Sequence, residues 1–184
     1  MSARRIPMEL QLRRRTIRSE VPYRAVRVAD RQDLAILLYA AYRGTTDDAG
    51  GTFADALAEI DKVFDSGYGE FLSDCSFVVA EGEFLSSACL VTWWRPHDAP
   101  LVVFAMTRPE AQRRGLARTL LEASINGLLD AGYQRLTLLV TDGNEPAQRL
   151  YASLGFRKMA QAPPRPPSLS GTSPEDLDET SSHP

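Results

Sequence analysis

A chain of 184 residues with 43% hydrophobic content has room for one domain with a real core and some loose sequence at its ends. Two cysteines, Cys75 and Cys89, exclude a disulfide framework, and with only His97 and His183 beside them they exclude a four-ligand metal site. No apolar run approaches the ~20 residues needed to cross a bilayer, and the N-terminus has no apolar stretch of a secretory signal, so the cytoplasm is the expected compartment.

The net charge of −3 conceals an asymmetry. Residues 1–31 hold nine arginines against Glu9, Glu20 and Asp30, whereas residues 44–83 hold ten acids and one base, Lys62. Fields of opposite sign bear on what a domain attracts, not on how it folds.

Residues 1–22 form a basic arm, and the weak alternation in "MELQLRRRTIR" suits an edge strand or a loose segment. "YRAVRVAD" (23–30) alternates and predicts a strand, with Asp30 and Asp33 as a cap-like helix start. Leu34, Leu37, Leu38, Ala41 and Tyr42 then share one helix face. "GTTDDAGG" breaks the pattern, and Thr52 with Asp55 opens a second helix with the stripe Phe53, Ala56, Leu57, Ile60 and Phe64. "SFVVA" and "FLSSACLVTWW" flank a turn, "EGE", as a predicted hairpin. Trp93 and Trp94 end it, and alternation sends one to the core and leaves the other for a pocket.

"LVVFAMT" (101–107) is apolar enough for a strand buried on both faces. After it, "PEAQRRGLAR" leads into a helix that turns Leu116, Leu120, Leu121, Ser124, Ile125 and Leu128 inward, with Gly132 as its left-handed end. "QRLTLLVT" predicts another central strand. "NEPAQRLYASLGF" predicts a short helix capped by Asn144, with Pro146 in its first turn, and "FRKM" a last strand. The Pro-, Ser- and acid-rich residues 161–184 cannot bury enough surface to offset their ordering entropy and are expected to be disordered.

The strand-to-helix junction is where chemistry enters. The first N–H groups of a helix lack intrahelical partners and its dipole makes that end electropositive. Arg113 and Arg114 can add charge-assisted contacts, and Gly115 and Ala117 let a bulky anion approach the backbone. The combination suits a pyrophosphate. Neither a Walker loop nor the dinucleotide GxGxxG is present.

Gln112-Arg113-Arg114-Gly115-Leu116-Ala117 resembles the Q/R-x-x-G-x-G/A signature of the GCN5-related N-acetyltransferase (GNAT) superfamily. One strand later, residues 144–156 resemble that family's N-x-x-A-x-x-x-Y-x-x-x-G-F segment. The resemblance covers about residues 23–160. It implies an α/β (α+β sandwich) fold: a mixed, mostly antiparallel sheet of about six to seven strands with about four helices, splayed between the fourth and fifth strands. It further implies direct acetyl transfer from acetyl-CoA to an amine of a small molecule or peptide, with no metal. Backbone groups of Ala105, Met106 and Thr107 would hold the pantetheine, and the amides of Gln112, Arg113, Arg114, Gly115, Leu116 and Ala117 the pyrophosphate. Asn144 would cap its helix or bond the pantetheine arm, and Tyr151 would protonate the leaving thiolate.

One departure stands out: "LVVFAMT" contains no Asp or Glu, although many family members carry a carboxylate base there. Glu70, Tyr68, Asp98 and His97 are candidates on chemistry alone. The acidic stretch 44–83 suits a solvated helix face, yet in the family that region borders the acceptor site and would attract a cationic amine. A non-catalytic acyl-CoA sensor is the alternative function, and a homodimer is compatible with the sequence. Nucleic-acid binding is disfavoured, since the N-terminal arginines lack interleaved aromatics other than Tyr23 and match no reading motif.

Overall fold

The computed structural model describes residues 4–45, 48 and 50–159, so the 161–184 tail lies outside the described residues. The N-terminal alternation becomes a full strand, β1 (Arg5–Gln11). It pairs antiparallel with β7 (Arg135–Thr141) on one side and with the short β8 (Arg157–Lys158) on the other, which puts it inside the sheet and not at its edge. Met8 and Leu10 are buried, and the period of two sends Arg5, Pro7 and Glu9 to the opposite face.

Between these come β2 (Arg24–Ala25), α1 (Arg31–Tyr42), α2 (Phe53–Phe64), β3 (Glu70–Phe71), β4 (Phe77–Glu81), β5 (Phe84–Trp94), β6 (Ala99–Thr107), α3 (Leu116–Asp130) and α4 (Glu145–Ser153). One eight-stranded sheet runs β2-β4-β5-β6-β7-β1-β8, with β3 beside β5. All pairings between these strands are antiparallel except β6 with β7. The mixed, mostly antiparallel sheet with four helices is therefore as expected, and β1 with the two-residue strands takes the count past seven.

The sheet separates two cores. Cys89 and Val91 of β5 and the inward residues of α3, β7 and β1 fill one, together with Tyr151, Leu154 and Phe156. Ala88 and Leu90 of β5, Phe104 and Met106 of β6, and the inward faces of α1 and α2 fill the other. The stripe read for α3 is buried throughout, whereas α2 buries Val63 in place of Phe64. Thr52 and Asp55 form the capping box of α2.

The strand expected over 23–30 shrinks to Arg24–Ala25, and Val28–Asp30 forms a 3₁₀ turn. Buried Asp30 is the reason. Its carboxylate accepts two bonds from the Arg24 guanidinium (2.7 and 2.8 Å) and one from the Arg27 N–H (2.8 Å), which curls the chain before it can pair further. Among the described residues no helix is long and apolar enough to cross a membrane.

Candidate active site

The register of β5 against β6 shifts from Leu90↔Phe104 to Val91↔Val102, leaving Val103 as an extra residue on β6. On its other side β6 pairs with β7 only at Leu101↔Thr137 and Val102↔Leu138. Past the bulge the two parallel strands part, and these are the strands counted fourth and fifth in the sequence. The Arg108 N–H donates to the Ser86 carbonyl at 2.9 Å, which sets the phase of the ladder. Alternation from there turns the backbone groups of Met106 toward β5 and those of Ala105 and Thr107 toward the gap. The Met106 carbonyl also accepts the Ser87 hydroxyl (2.8 Å). Of the three strand residues expected to face the gap, Met106 is thus turned away.

A 3₁₀ turn, Pro109–Ala111, ends the strand, and the Gln112 N–H donates back to the Pro109 carbonyl (3.3 Å). That amide is engaged within the turn. Arg113 (φ 61°) and Gly115 (φ 79°) are both left-handed, a backbone shape that forms anion-binding nests. Gly115 is the N-cap of α3, and no side chain caps that helix. A Cβ at Gly115 would meet nothing within 4 Å, so the glycine serves the backbone conformation and leaves open space above it. Leu116 anchors the turn in the core at 1% exposure, and Ala117 is half-buried. This cradle fits a bulky oxyanion such as a pyrophosphate.

The arginine side chains divide. Arg113 is exposed, while Arg114 donates twice to Glu81 of β4 (3.0 and 2.6 Å). Those bonds, with one from the Ser86 hydroxyl, pull the Glu81 carboxyl down to about 2. The expectation that both guanidinium groups are open to an anion fails for Arg114, because β4 supplies it with a carboxylate, while Arg113 is exposed.

Asn144 caps α4, its Oδ1 accepting the Ala147 N–H at 3.2 Å. At the other end Gly155 (φ 94°) lets the Phe156 N–H reach the Tyr151 carbonyl and the Gly155 N–H that of Ala152, both at 3.0 Å. This closure holds Tyr151 at 8% exposure, edge-on to Phe156 with ring centroids 5.8 Å apart. Tyr151 lies in the core cluster that also contains Val102 and against which Ala105 packs.

A cavity of about 320 Å³ opens on the α1–α2 side of β6. Arg5, Tyr39, Tyr42, Arg43, Asp48, Asp55, Glu59 and Phe104 are among its walls, and Phe104 adjoins the bulge. Asp48 accepts the N–H groups of Gly44 (2.6 Å) and Gly50 (2.8 Å), and Asp55 accepts that of Thr52 (2.6 Å). These backbone bonds hold both carboxyls below the usual range. Glu59 accepts the Tyr68 hydroxyl on one oxygen and the Lys62 ammonium (2.7 Å) on the other. Burial, and then the Glu59 carboxylate, push the Tyr68 phenol far above its ordinary value, so it remains a donor.

The four base candidates fall in different places. Glu70 is exposed and lies opposite Trp93. His97 and Asp98 lie just before β6, at the end far from Thr107, and the His97 ring is 3.3 Å from the Thr137 hydroxyl. Tyr68 alone reaches the cavity wall, through Glu59. Sequence reading had passed over Glu59 as one acid among ten. Its only local signal is a place one turn after Asp55, beside the buried Ile60.

Neither tryptophan lines the cavity. Trp93 stacks on Tyr133 (5.4 Å) and Trp94 is 9% exposed, so Tyr39, Tyr42 and Phe104 supply the aromatic walls instead. Both cysteines are buried, and burial pushes the Cys89 thiol up to about 11. Among the described residues no group of three or more His, Cys, Asp or Glu could hold a metal ion. Two N-terminal arginines serve the fold: Arg14 pairs with Asp130, and the Arg15 backbone exchanges two bonds with Asn126.

Comparison with known proteins identifies a family and a fold. Residues 37–156 match the model of the acetyltransferase (GNAT) family. A mycothiol acetyltransferase from Thermomonospora curvata is 38% identical over 79 residues, which are 39% of this chain and 27% of that protein. A GCN5-related N-acetyltransferase from Sphaerobacter thermophilus superposes with a TM-score of 0.65 at 16% identity, over 84% of this chain and 48% of that one. A Salmonella typhimurium chain solved with its cofactor acetyl-CoA gives 0.56 at 21% identity, over 74% and 79%. The chain thus spans about a quarter of the first of these proteins and half of the second, and the structural likenesses speak for the fold. With the family model covering well over half of its length, the chain belongs to the GNAT acetyltransferase family.

Proposed function

We propose that this protein is an acetyl-CoA-dependent N-acetyltransferase that passes the acetyl group directly to an amine of a small molecule or peptide. The observation that carries the reading is the continuous line of backbone groups from the bulged end of β6 into the uncapped first turn of α3. Acetyl-CoA supplies an acyl group activated as a thioester. Ala105 and Thr107 bond its pantetheine arm as an added strand would. The amides from Arg113 to Ala117 hold its pyrophosphate, assisted by the Arg113 side chain. Tyr151 donates a proton to the departing sulfur.

The acceptor enters from the cavity on the other face of β6. Asp48, Asp55 and Glu59 there outnumber Arg5 and Arg43, which supports a cationic amine. Thiol release across a panel of amines, amino acids, polyamines and peptides tests the activity. We expect turnover with at least one amine, and a loss of about 10²–10³-fold in Tyr151→Phe with acetyl-CoA affinity unchanged. Tight acetyl-CoA binding without turnover on any amine would mark a sensor domain and refute the enzyme.

A further inference from the structure

Resting on the acetyltransferase reading, we infer that Glu59 receives the acceptor's ammonium and takes its proton, with Tyr68 as the positioning residue that aims it. The problem to be solved is physical. An amine with a pKa of about 10.4 arrives protonated at neutral pH and cannot attack until it loses a proton. β6 offers no carboxylate for this, since its residues 99–107 are APLVVFAMT.

Three carboxylates line the cavity, and two of them are engaged within their own turns. Asp48 takes the Gly44 N–H on one oxygen and the Gly50 N–H on the other, and Asp55 takes the N–H and the hydroxyl of Thr52. These bonds tie both to their own turns and stabilise their charged forms. Glu59 instead takes one side-chain bond per oxygen, and a carboxylate has about four lone-pair sites. It keeps acceptor capacity toward the cavity, and its side chain is 22% exposed. The charged and titratable groups around it are Tyr68 and Lys62 as direct partners, Asp55 one turn away on α2, and Arg5, Tyr39, Tyr42, Arg43 and Asp48 on the other cavity walls.

Tyr68 links this carboxylate to the strand. It is fully buried, and its ring stands edge-on to Phe104 with centroids 6.2 Å apart. Phe104 immediately precedes Ala105, whose backbone faces the gap. A phenol that stays protonated thus fixes the Glu59 carboxylate in a position referred to β6. The protons balance. An ammonium sheds two on becoming an amide: one passes to Glu59 and on to water before attack, leaving the lone pair free to form the C–N bond as the C–S bond breaks. The second leaves the nitrogen while Tyr151 gives one to the sulfur and is reprotonated, so the products are amide, thiol and one released proton.

The test measures kcat/KM against pH for the full chain, Glu59→Gln and Tyr68→Phe, using spermidine and an Nα-acetyl-lysine amide as acceptor probes and whichever other amine the panel turns over fastest. At pH 7 we expect Glu59→Gln to be slower by about 100-fold. The deficit shrinks to under ~10-fold near pH 9.5, where solution itself begins to supply free amine. Tyr68→Phe, which keeps the ring and the carboxylate, should lose about 3–10-fold in kcat with acetyl-CoA affinity intact. A Glu59→Gln ratio that does not change with pH, or activity equal to the parent, overturns the inference while leaving the acetyltransferase reading standing. A parent chain inert toward every amine refutes both.

Discussion

On the α3 side of β6 the groups proposed to hold acetyl-CoA are backbone: Ala105 and Thr107 at the gap, and the amides of a left-handed turn around Gly115. On the α2 side they are side chains, brought from Arg5, from Tyr39 and Arg43, from Asp48, Asp55 and Glu59, and from Phe104. A backbone site constrains residue type at every step along one short segment. A side-chain site needs one suitable residue from each of several segments. The first kind writes a contiguous motif and the second writes none.

The sharpest way to break the comparison is to disturb backbone without touching a side-chain contact. Gly115→Val should do so, because a β-branched residue resists a φ of 79° although a Cβ would meet nothing within 4 Å. The turn then shifts to a right-handed conformation and its amides diverge. We expect the acetyl-CoA Kd to rise by about 100-fold in titration calorimetry, roughly 2.7 kcal/mol at 1.36 per decade, with a much smaller change in melting temperature. Affinity within threefold of the parent would mean that the turn is not where the anion sits.

This difference also sets what could be read in advance. The helix stripe of α3 and the caps at Thr52 and Asn144 follow local rules and were legible as sequence. So was the splay, but only through the family resemblance, since no residue between 101 and 107 announces a bulge. The place of β1 between β7 and β8 was not legible, because partner choice is a long-range decision that alternation cannot express. Glu59 was missed for a related reason. The role inferred for it depends on Tyr68, nine residues on, and on Phe104 from another part of the sheet. Arg114 looked free for a phosphate because Glu81 is far from it in sequence.

On the acceptor side, smaller effects are expected from charge alone. Asp48 and Asp55 are held below the usual carboxylate range, so both remain ionised at any working pH. Their pull on a cationic amine should then be flat from pH 6 to 9 and sensitive to salt. Asp48→Asn and Asp55→Asn together should raise KM for such an amine by about 3–10-fold at low ionic strength, with the gap closing in ~0.5 M salt and kcat little changed. A neutral acceptor that outcompetes cationic ones, with KM unmoved by either substitution, would break the assignment of this face to a cation.

The smallest expected effect tests whether the donor side uses side-chain charge at all. Glu81 occupies the Arg114 guanidinium, and its carboxyl is drawn down to about 2 chiefly by that pairing. A depressed value means that the pairing is complete above the unfolded carboxyl's range near 4 and is lost only as pH falls through about 2. At neutral pH the arginine is therefore held by Glu81 and not turned to Gly115. Glu81→Gln removes the charge that holds it. If the arginine then turns to the phosphate, acetyl-CoA should bind about 2–3-fold more tightly, and the salt dependence of binding should steepen. If the affinity does not move, the freed Arg114 adds nothing, and the donor side rests on the main chain of the Gly115 turn with whatever the exposed Arg113 supplies.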